Sequence, residues 1–346
     1  FGSRGCDTRP SSSERGREPR PCPARRAGHF PPAFAIMGQN CSQNCCKEDR
    51  ILANPALLKT MAQEQDRKLN EGGVDANSAS YFDRELEELG RLPSQGSAME
   101  RRPVHRFQTG AHYTGQWKGN TRHGFGVQVW PDGAIYEGEW RENRAEGKGR
   151  FTHSDGDTYT GEWKRNVAHG KGTYHHKDLT TYAGEWCNDL QDGYGVETWA
   201  EGTRFEGIFH NGQKEGYGIY LWPDTSQYRG SWEANTINGT GTYIGSDGRW
   251  YKGTWQDSVI HGKGKYLWPN GREYVGQYLF DRKDGFGVFT WPDGRKYEGF
   301  WSQGRQHGHG RTTLKDGTFR YAIWCDGKRE FAGVDEAEKD TVPGEA

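Results

Sequence analysis

From about residue 112 onward, apolar and polar positions alternate in short runs that restart at a fixed interval. Aromatic residues stand 23 positions apart at Tyr113, Tyr136, Tyr159, Tyr182, Phe205, Tyr228, Tyr251, Tyr274 and Tyr297. A glycine follows each two positions later, and then usually a tryptophan, as at Trp117, Trp140 and Trp163. Such a period marks an array of structural repeats. One unit reads Tyr136-Glu137-Gly138-Glu139-Trp140, then Gly147-Lys148-Gly149-Arg150-Phe151, then Ser154-Asp155-Gly156. Two period-2 segments separated by turn residues predict a β-hairpin. Alternation places Tyr136, Gly138 and Trp140 on one face and Glu137 and Glu139 on the other. Glycine at alternate positions leaves hollows in which rings from the neighbouring strand can lie.

The turns agree with this reading. The third residue after each tryptophan position is Asn120, Asn143, Asn166, Asp189, Gly212, Asn235, Ser258, Asp281 or Gly304. All but the serine tolerate positive φ. Between units the chain reads Pro131-Asp132-Gly133, Pro269-Asn270-Gly271 or Pro292-Asp293-Gly294, which is ordinary turn chemistry. With 51 glycines in the chain, helices are hard to draw through the array, so the fold class predicted is all-β.

These residues resemble the MORN family, whose unit reads Y-x-G-x-W-x₆-G-x-G; Tyr136, Gly138, Trp140, Gly147 and Gly149 fit it throughout. Phe205, Phe209 and Tyr278 are aromatic-for-aromatic swaps. The resemblance covers roughly residues 105–325. A tenth unit decays, keeping Trp324 but placing Arg320 and Ala322 where tyrosine and glycine belong, which suits a terminal cap. The resemblance implies an elongated, single-layer antiparallel β-meander of about 18 strands, roughly 85 Å long at the usual strand spacing. It further implies a groove that receives an extended or helical segment of a partner protein, sometimes a cytoskeletal motor. Tyrosine and tryptophan dominate binding hot spots. The groove residues expected are therefore Tyr113, Trp117, Tyr136, Trp140, Tyr159, Trp163, Tyr182, Trp186, Phe205, Phe209, Tyr228, Trp232, Tyr251, Trp255, Tyr274, Tyr278, Tyr297 and Trp301. They serve a partner only where their rings are not consumed by packing on glycine.

Charge and composition narrow the field. Lysine and arginine number 46 against 47 aspartates and glutamates, so no bulk attraction to nucleic acid is expected. The same near-neutrality argues against the binding of acidic phospholipids, with which MORN arrays are credited, by the array alone. No apolar run approaches a membrane span, and no signal peptide precedes the array. Only Cys187 and Cys325 of seven cysteines lie in the array; a disulfide framework is not indicated, and a reducing compartment fits.

Outside the array, residues 1–36 are rich in arginine, proline and serine and read as disordered, and as leader sequence if translation starts at Met37. Met37-Gly38-Gln39-Asn40-Cys41-Ser42 matches the N-myristoylation pattern, given that start. One myristoyl chain binds membranes marginally, and Cys41, Cys45 and Cys46 are the palmitoyl acceptors that would complete an anchor within residues 37–50. Residues 51–104 form a polar linker with two helical candidates. One starts at Asn54-Pro55; the other starts at Ser80–Asp83 with Phe82, Leu86 and Leu89 along one face. The second is expected to cover the open edge of the first repeat. The tail, 326–346, is acidic.

No catalytic signature appears. His123, His169, His261 and His307 precede the first glycine of a Gly-x-Gly, and equivalent positions lie about 10 Å apart per repeat, too far to share a metal. His175-His176 lacks a third ligand. Glu137 and Glu139 read as a solvated face opposite bases such as Lys148. The expectation is a non-enzymatic scaffold without cofactor or metal. It is tethered to the cytosolic face of a membrane and binds a protein, with homodimerisation through the array ends open. A structural role in a cilium or flagellum, like a radial-spoke-head protein, is the alternative; a regulatory region of a phosphatidylinositol phosphate kinase is the weaker one. Only about 20 residues follow the array, so no catalytic domain is expected in this chain.

Overall fold

A computed structural model describes residues 78–93 and 96–332. The acylation segment, the helix candidate at Asn54-Pro55 and the tail beyond residue 332 lie outside the described residues. Two short helices, α1 (Ser78–Asp83) and α2 (Leu86–Arg91), precede one antiparallel sheet of 22 strands. From β3 (His112–Lys118) to β22 (Lys328–Ala332) every strand pairs with the strand before it in sequence, one hairpin per repeat. The sheet therefore exceeds the 18 strands expected. Strands β1 (Met99–Arg101) and β2 (His105–Arg106) both line the outer edge of β3. At the far end the decayed tenth unit supplies β21 (Phe319–Cys325) and β22.

The second repeat shows why the hairpin needs three glycines. In β5 (Ile135–Arg141) and β6 (Arg144–Thr152), Tyr136 faces Phe151 and Gly138 faces Gly149. The register then slips so that Trp140 faces Ala145. That slip is a β-bulge. Gly147 inside it has φ +75°, a conformation L side chains rarely adopt. A Cβ on Gly149 would lie 2.4 Å from the Tyr136 hydroxyl, and one on Gly138 would lie 2.5 Å from the Gly149 Cα. The Tyr136 ring thus lies flat along bare backbone, and its hydroxyl donates to the Glu139 carbonyl at 2.9 Å. The same bond recurs at every ladder tyrosine, for example Tyr159 to the Glu162 carbonyl and Tyr274 to the Gln277 carbonyl.

The residue between glycine and tryptophan has a more specific task than a solvated charge. A bulge leaves one N–H without a ladder partner. The Glu139 carboxylate accepts the Lys148 N–H at 3.1 Å, Gln116 accepts that of Phe125 at 2.7 Å, and Gln277 that of Phe286 at 2.9 Å. Lys148 itself stands opposite Glu162 of the next repeat, not Glu139. Satisfying a fixed N–H outweighs pairing with a mobile lysine head in water.

Turn residues also do more than turn. Asn143, Asn166, Asp189, Asn235, Ser258 and Asp281 all hold positive φ. Each reaches back to the preceding repeat: Asn166 Oδ1 accepts the Ala145 N–H at 2.8 Å while its own N–H donates to the Ala145 carbonyl at 3.1 Å. Asp189 clasps Ala168 and Asp281 clasps Ile260 in the same way. Hairpins are therefore stitched at the turns as well as by strand pairing.

The expected edge cover takes a different form. β1 and β2 protect the edge of β3, whereas α1 and α2 lie on the aromatic face of the first repeats. Aromatic surface left bare costs more than an edge that two short strands can pair. Phe82 and Leu89 are buried as their spacing predicts, while Leu86 is 37% exposed. The helix breaks at Arg84-Glu85, where Glu85 turns inward and is fully buried.

Candidate functional site

The ring face is built by repetition. Each ladder tyrosine meets two tryptophan-position rings edge-on. Tyr136 lies 5.0 Å from Trp140 and 5.3 Å from Trp163, and Tyr274 lies 5.1 Å from Tyr278 and 5.4 Å from Trp301. The indole N–H of Trp140, Trp163, Trp186 and Trp301 donates to a glycine carbonyl of the preceding repeat. Tyr113, Tyr136, Tyr159, Tyr182, Phe205, Tyr228, Tyr251, Tyr274 and Tyr297 are 0–2% exposed. Trp117, Trp140, Trp163, Trp186, Phe209, Trp232, Trp255, Tyr278 and Trp301 are 1–7% exposed. Burial pushes the tyrosine hydroxyls well above their ordinary pKa, Tyr297 to about 12. These rings are consumed by packing, so as a groove they offer a partner almost no free surface.

In the first repeats the chain itself completes this face. Phe82, fully buried, stands 5.1–5.8 Å from the rings of Trp130, Tyr136, Trp140, Phe151 and Trp163. Ala145 and Ala168, which pair with Trp140 and Trp163, are both fully buried. Tyr81 donates to Asp132 at 2.7 Å. Arg122, also fully buried, donates to the Phe82 carbonyl at 3.2 Å and the Asn143 carbonyl at 3.1 Å and lies 4.3 Å from the Trp140 ring centre. Burial lowers its pKa to about 10, opposed by attraction to Glu85. Burial raises the Glu85 pKa, opposed by the same attraction.

Sequence reasoning missed these interior cations. Arg122, Lys214 and Lys283 received no role from the sequence, yet they are 0%, 3% and 3% exposed. The signal was available: they occupy the register position held by Ala145, Ala168, Ile237 and Ile260 in other repeats. Lys214 Nζ lies 3.2 Å from Glu197, and Lys283 Nζ lies 4.8–5.6 Å from the ring centres of Trp268, Tyr274, Phe289 and Trp301.

The opposite, outer face varies from repeat to repeat. Tyr194 is 49% exposed, Tyr217 61%, Phe286 51% and Phe300 51%. Lys148 and Lys171 stand opposite Glu162 and Glu185 of the following repeat. A shallow depression of about 460 Å³ opens on this face among Thr160, Lys171, Thr173, Ala183, Glu185 and Tyr194.

Of the histidines, His176 has its Nδ1 2.9 Å from the Asp157 carboxylate and is half-buried, while its neighbour His175 is exposed. No cluster of three or more metal-capable side chains occurs among the described residues. Cys325 is free. No described helix is long and apolar enough to cross a membrane. Gly38, Cys41, Cys45 and Cys46 lie outside the described residues.

The MORN repeat family model matches nine successive segments from 113–135 to 297–319. Comparison with curated proteins gives no match. Among solved structures, the TCP10 domain of Danio rerio CPAP in complex with a STIL peptide aligns at 13% identity and a TM-score of 0.37, over 68% of this chain and 99% of that one. The Drosophila melanogaster SAS-4 TCP domain with a proline-rich motif of Ana2 aligns at 14% identity and a TM-score of 0.30, over 54% and 97%. Those overlaps are too loose to carry function across. The periodic tyrosine, glycine and tryptophan positions, their places in the hairpin and the ninefold match together make this chain a member of the MORN-repeat family.

Proposed function

We propose that this chain is a non-enzymatic scaffold that holds a partner protein on the outer face of its sheet and is tethered to a membrane by acyl groups at Gly38 and the adjoining Cys41, Cys45 and Cys46. One observation carries the binding half: residues at repeated positions are buried in packing, while large apolar side chains stand exposed at positions that vary between repeats. The Phe286–Phe300 ring pair forms an exposed apolar patch of the kind that marks a protein-binding site. The binding surface thus moves from the rings expected to line a groove to Tyr194, Tyr217, Phe286 and Phe300 on the other side.

A photo-crosslinking residue placed at Tyr217 or Phe286 of the full chain in cells should yield one shared adduct. The same residue at Lys148 should yield none. Adducts from no outer-face position would end the scaffold reading. The tether is tested separately, on a chain begun at Met37. Intact mass should show a myristoyl group on Gly38, and Gly38→Ala should move the protein out of the membrane fraction. An unmodified Gly38 would remove the tether while leaving the binding surface standing.

A further inference from the structure

The outer face carries an order that the repeat does not require. Tyr217 stands exposed on β12 (Gln213–Leu221), and Phe286 stands exposed on β18 (Arg282–Thr290), directly opposite Phe300, with the two rings 5.8 Å apart. Six strand spacings separate Tyr217 from Phe286, about 29 Å. Between them the surface is basic. Arg229, Lys252 and Lys263 are exposed. Lys252 stands directly opposite Lys265, a like-charged pairing that destabilises the free sheet. Glu273 neutralises only Lys265, at 2.8 Å; no ion pair holds Lys252 or Lys263 among the described residues. The chain as a whole has a net charge of −1, so this basic stretch is local.

We propose that the outer face from Tyr217 to Phe286 and Phe300 docks an amphipathic partner helix with an acidic middle and an apolar residue toward each end. The inference rests on the scaffold reading above and names the partner's chemistry. These strands are interior to the sheet, with both edges paired, so a partner cannot add as a further strand. A segment lying on a sheet face must satisfy its own backbone, which a helix does. Anchors about 29 Å apart correspond to about 19 helical residues at 1.5 Å per residue. Carboxylates in the middle would meet Lys252, Lys263 and Arg229, relieve the Lys252–Lys265 repulsion and set register, while the end residues cover Tyr217 and the Phe286–Phe300 pair.

The probe is a synthetic alanine-based helical peptide of about 20 residues. It carries three glutamates on one face between a leucine near one end and a phenylalanine near the other. Fluorescence anisotropy with the full chain should show binding that weakens with salt. Lys252→Glu with Lys263→Glu, and separately Phe286→Ser, should each reduce affinity about tenfold or more; the double charge variant should melt no lower than wild type, because Lys252→Glu removes the repulsion with Lys265. A peptide with the same composition but glutamates spread round the helix should bind no better than background. Absence of binding by the wild-type chain, or equal binding by the variants, overturns the proposal. So does loss of binding to phosphatidylserine vesicles, or of self-association by sedimentation, in variants that bind the peptide normally; the occupant would then be a membrane or a second copy. If the crosslinked adduct at Tyr217 persists in the Lys252→Glu, Lys263→Glu chain, the scaffold reading survives and only this partner chemistry fails.

Discussion

At Thr225 and Leu179 the inter-repeat turn takes φ +72°, where the corresponding residues of other units are Gly133, Gly156, Gly202, Gly248, Gly271 and Gly294. A β-branched residue held there carries strain of about 1–2 kcal/mol, partly offset on replacement by the greater freedom of glycine when unfolded. Thr225→Gly should raise stability by a few tenths to about 1 kcal/mol in denaturant melts; a loss would mean that the backbone is unstrained. Phe205 alone in the ladder lacks the hydroxyl that bonds the carbonyl three residues on. Phe205→Tyr should gain about 1 kcal/mol, and a melt no better than wild type would refute that. Asp189 clasps Ala168 as Asn166 clasps Ala145, but burial pushes its carboxyl up to about 6. A raised folded pKa contributes stability below the ordinary carboxylate value that is lost as pH rises through about 6. Asp189→Asn keeps the acceptor without the charge, so it should be more stable than wild type at pH 7.5, by about 1–2 kcal/mol after solvent screening, and equal to it near pH 4. A constant difference across pH would refute this.

Within a hairpin, the ladder ring and the glycine beneath it depend on each other. Gly149 lies under the Tyr136 ring, so Gly149→Ala must lift that ring off the sheet. The cost expected is about 2–4 kcal/mol, with Tyr136 fluorescence or exchange reporting the displacement; a silent substitution would mean that the ring does not rest there. Phe82 and Tyr81 seat α1 on the ring face. Phe82→Ala should cost about 3–5 kcal/mol locally. Hydrogen exchange should quicken in repeats one to three and stay unchanged beyond residue 205. Uniform acceleration across the array would contradict the local seat.

Across the molecule, each hairpin touches chiefly its sequence neighbours, so stability is close to a sum of nearest-neighbour contributions. Gly241→Val in the sixth repeat, where a Cβ would lie 2.2 Å from the Tyr228 hydroxyl, should therefore strip exchange protection from repeats five to seven while both ends keep theirs. Complete two-state loss would show that the array is a single cooperative unit. The ends are managed differently. β1 and β2 shield the first edge, and at the last one Trp324 still stacks 5.7 Å from Tyr297 although the unit's tyrosine and glycine are gone.

The period, the glycine register and the turn chemistry were legible because each is a local backbone demand repeated nine times. From them alone follow the family, the antiparallel meander and the ring stacking on glycine. Tertiary structure decided whatever depends on which face or which repeat a side chain meets. It sent Phe82 onto the ring face rather than the edge, because bare rings gain more from cover than a strand edge that two short strands already pair. It drew Arg122, Lys214 and Lys283 inward at a register position where other repeats carry alanine or isoleucine. It also consumed the aromatic rows in packing and left the variable outer positions exposed, since a single sheet can bury only one of its faces on itself.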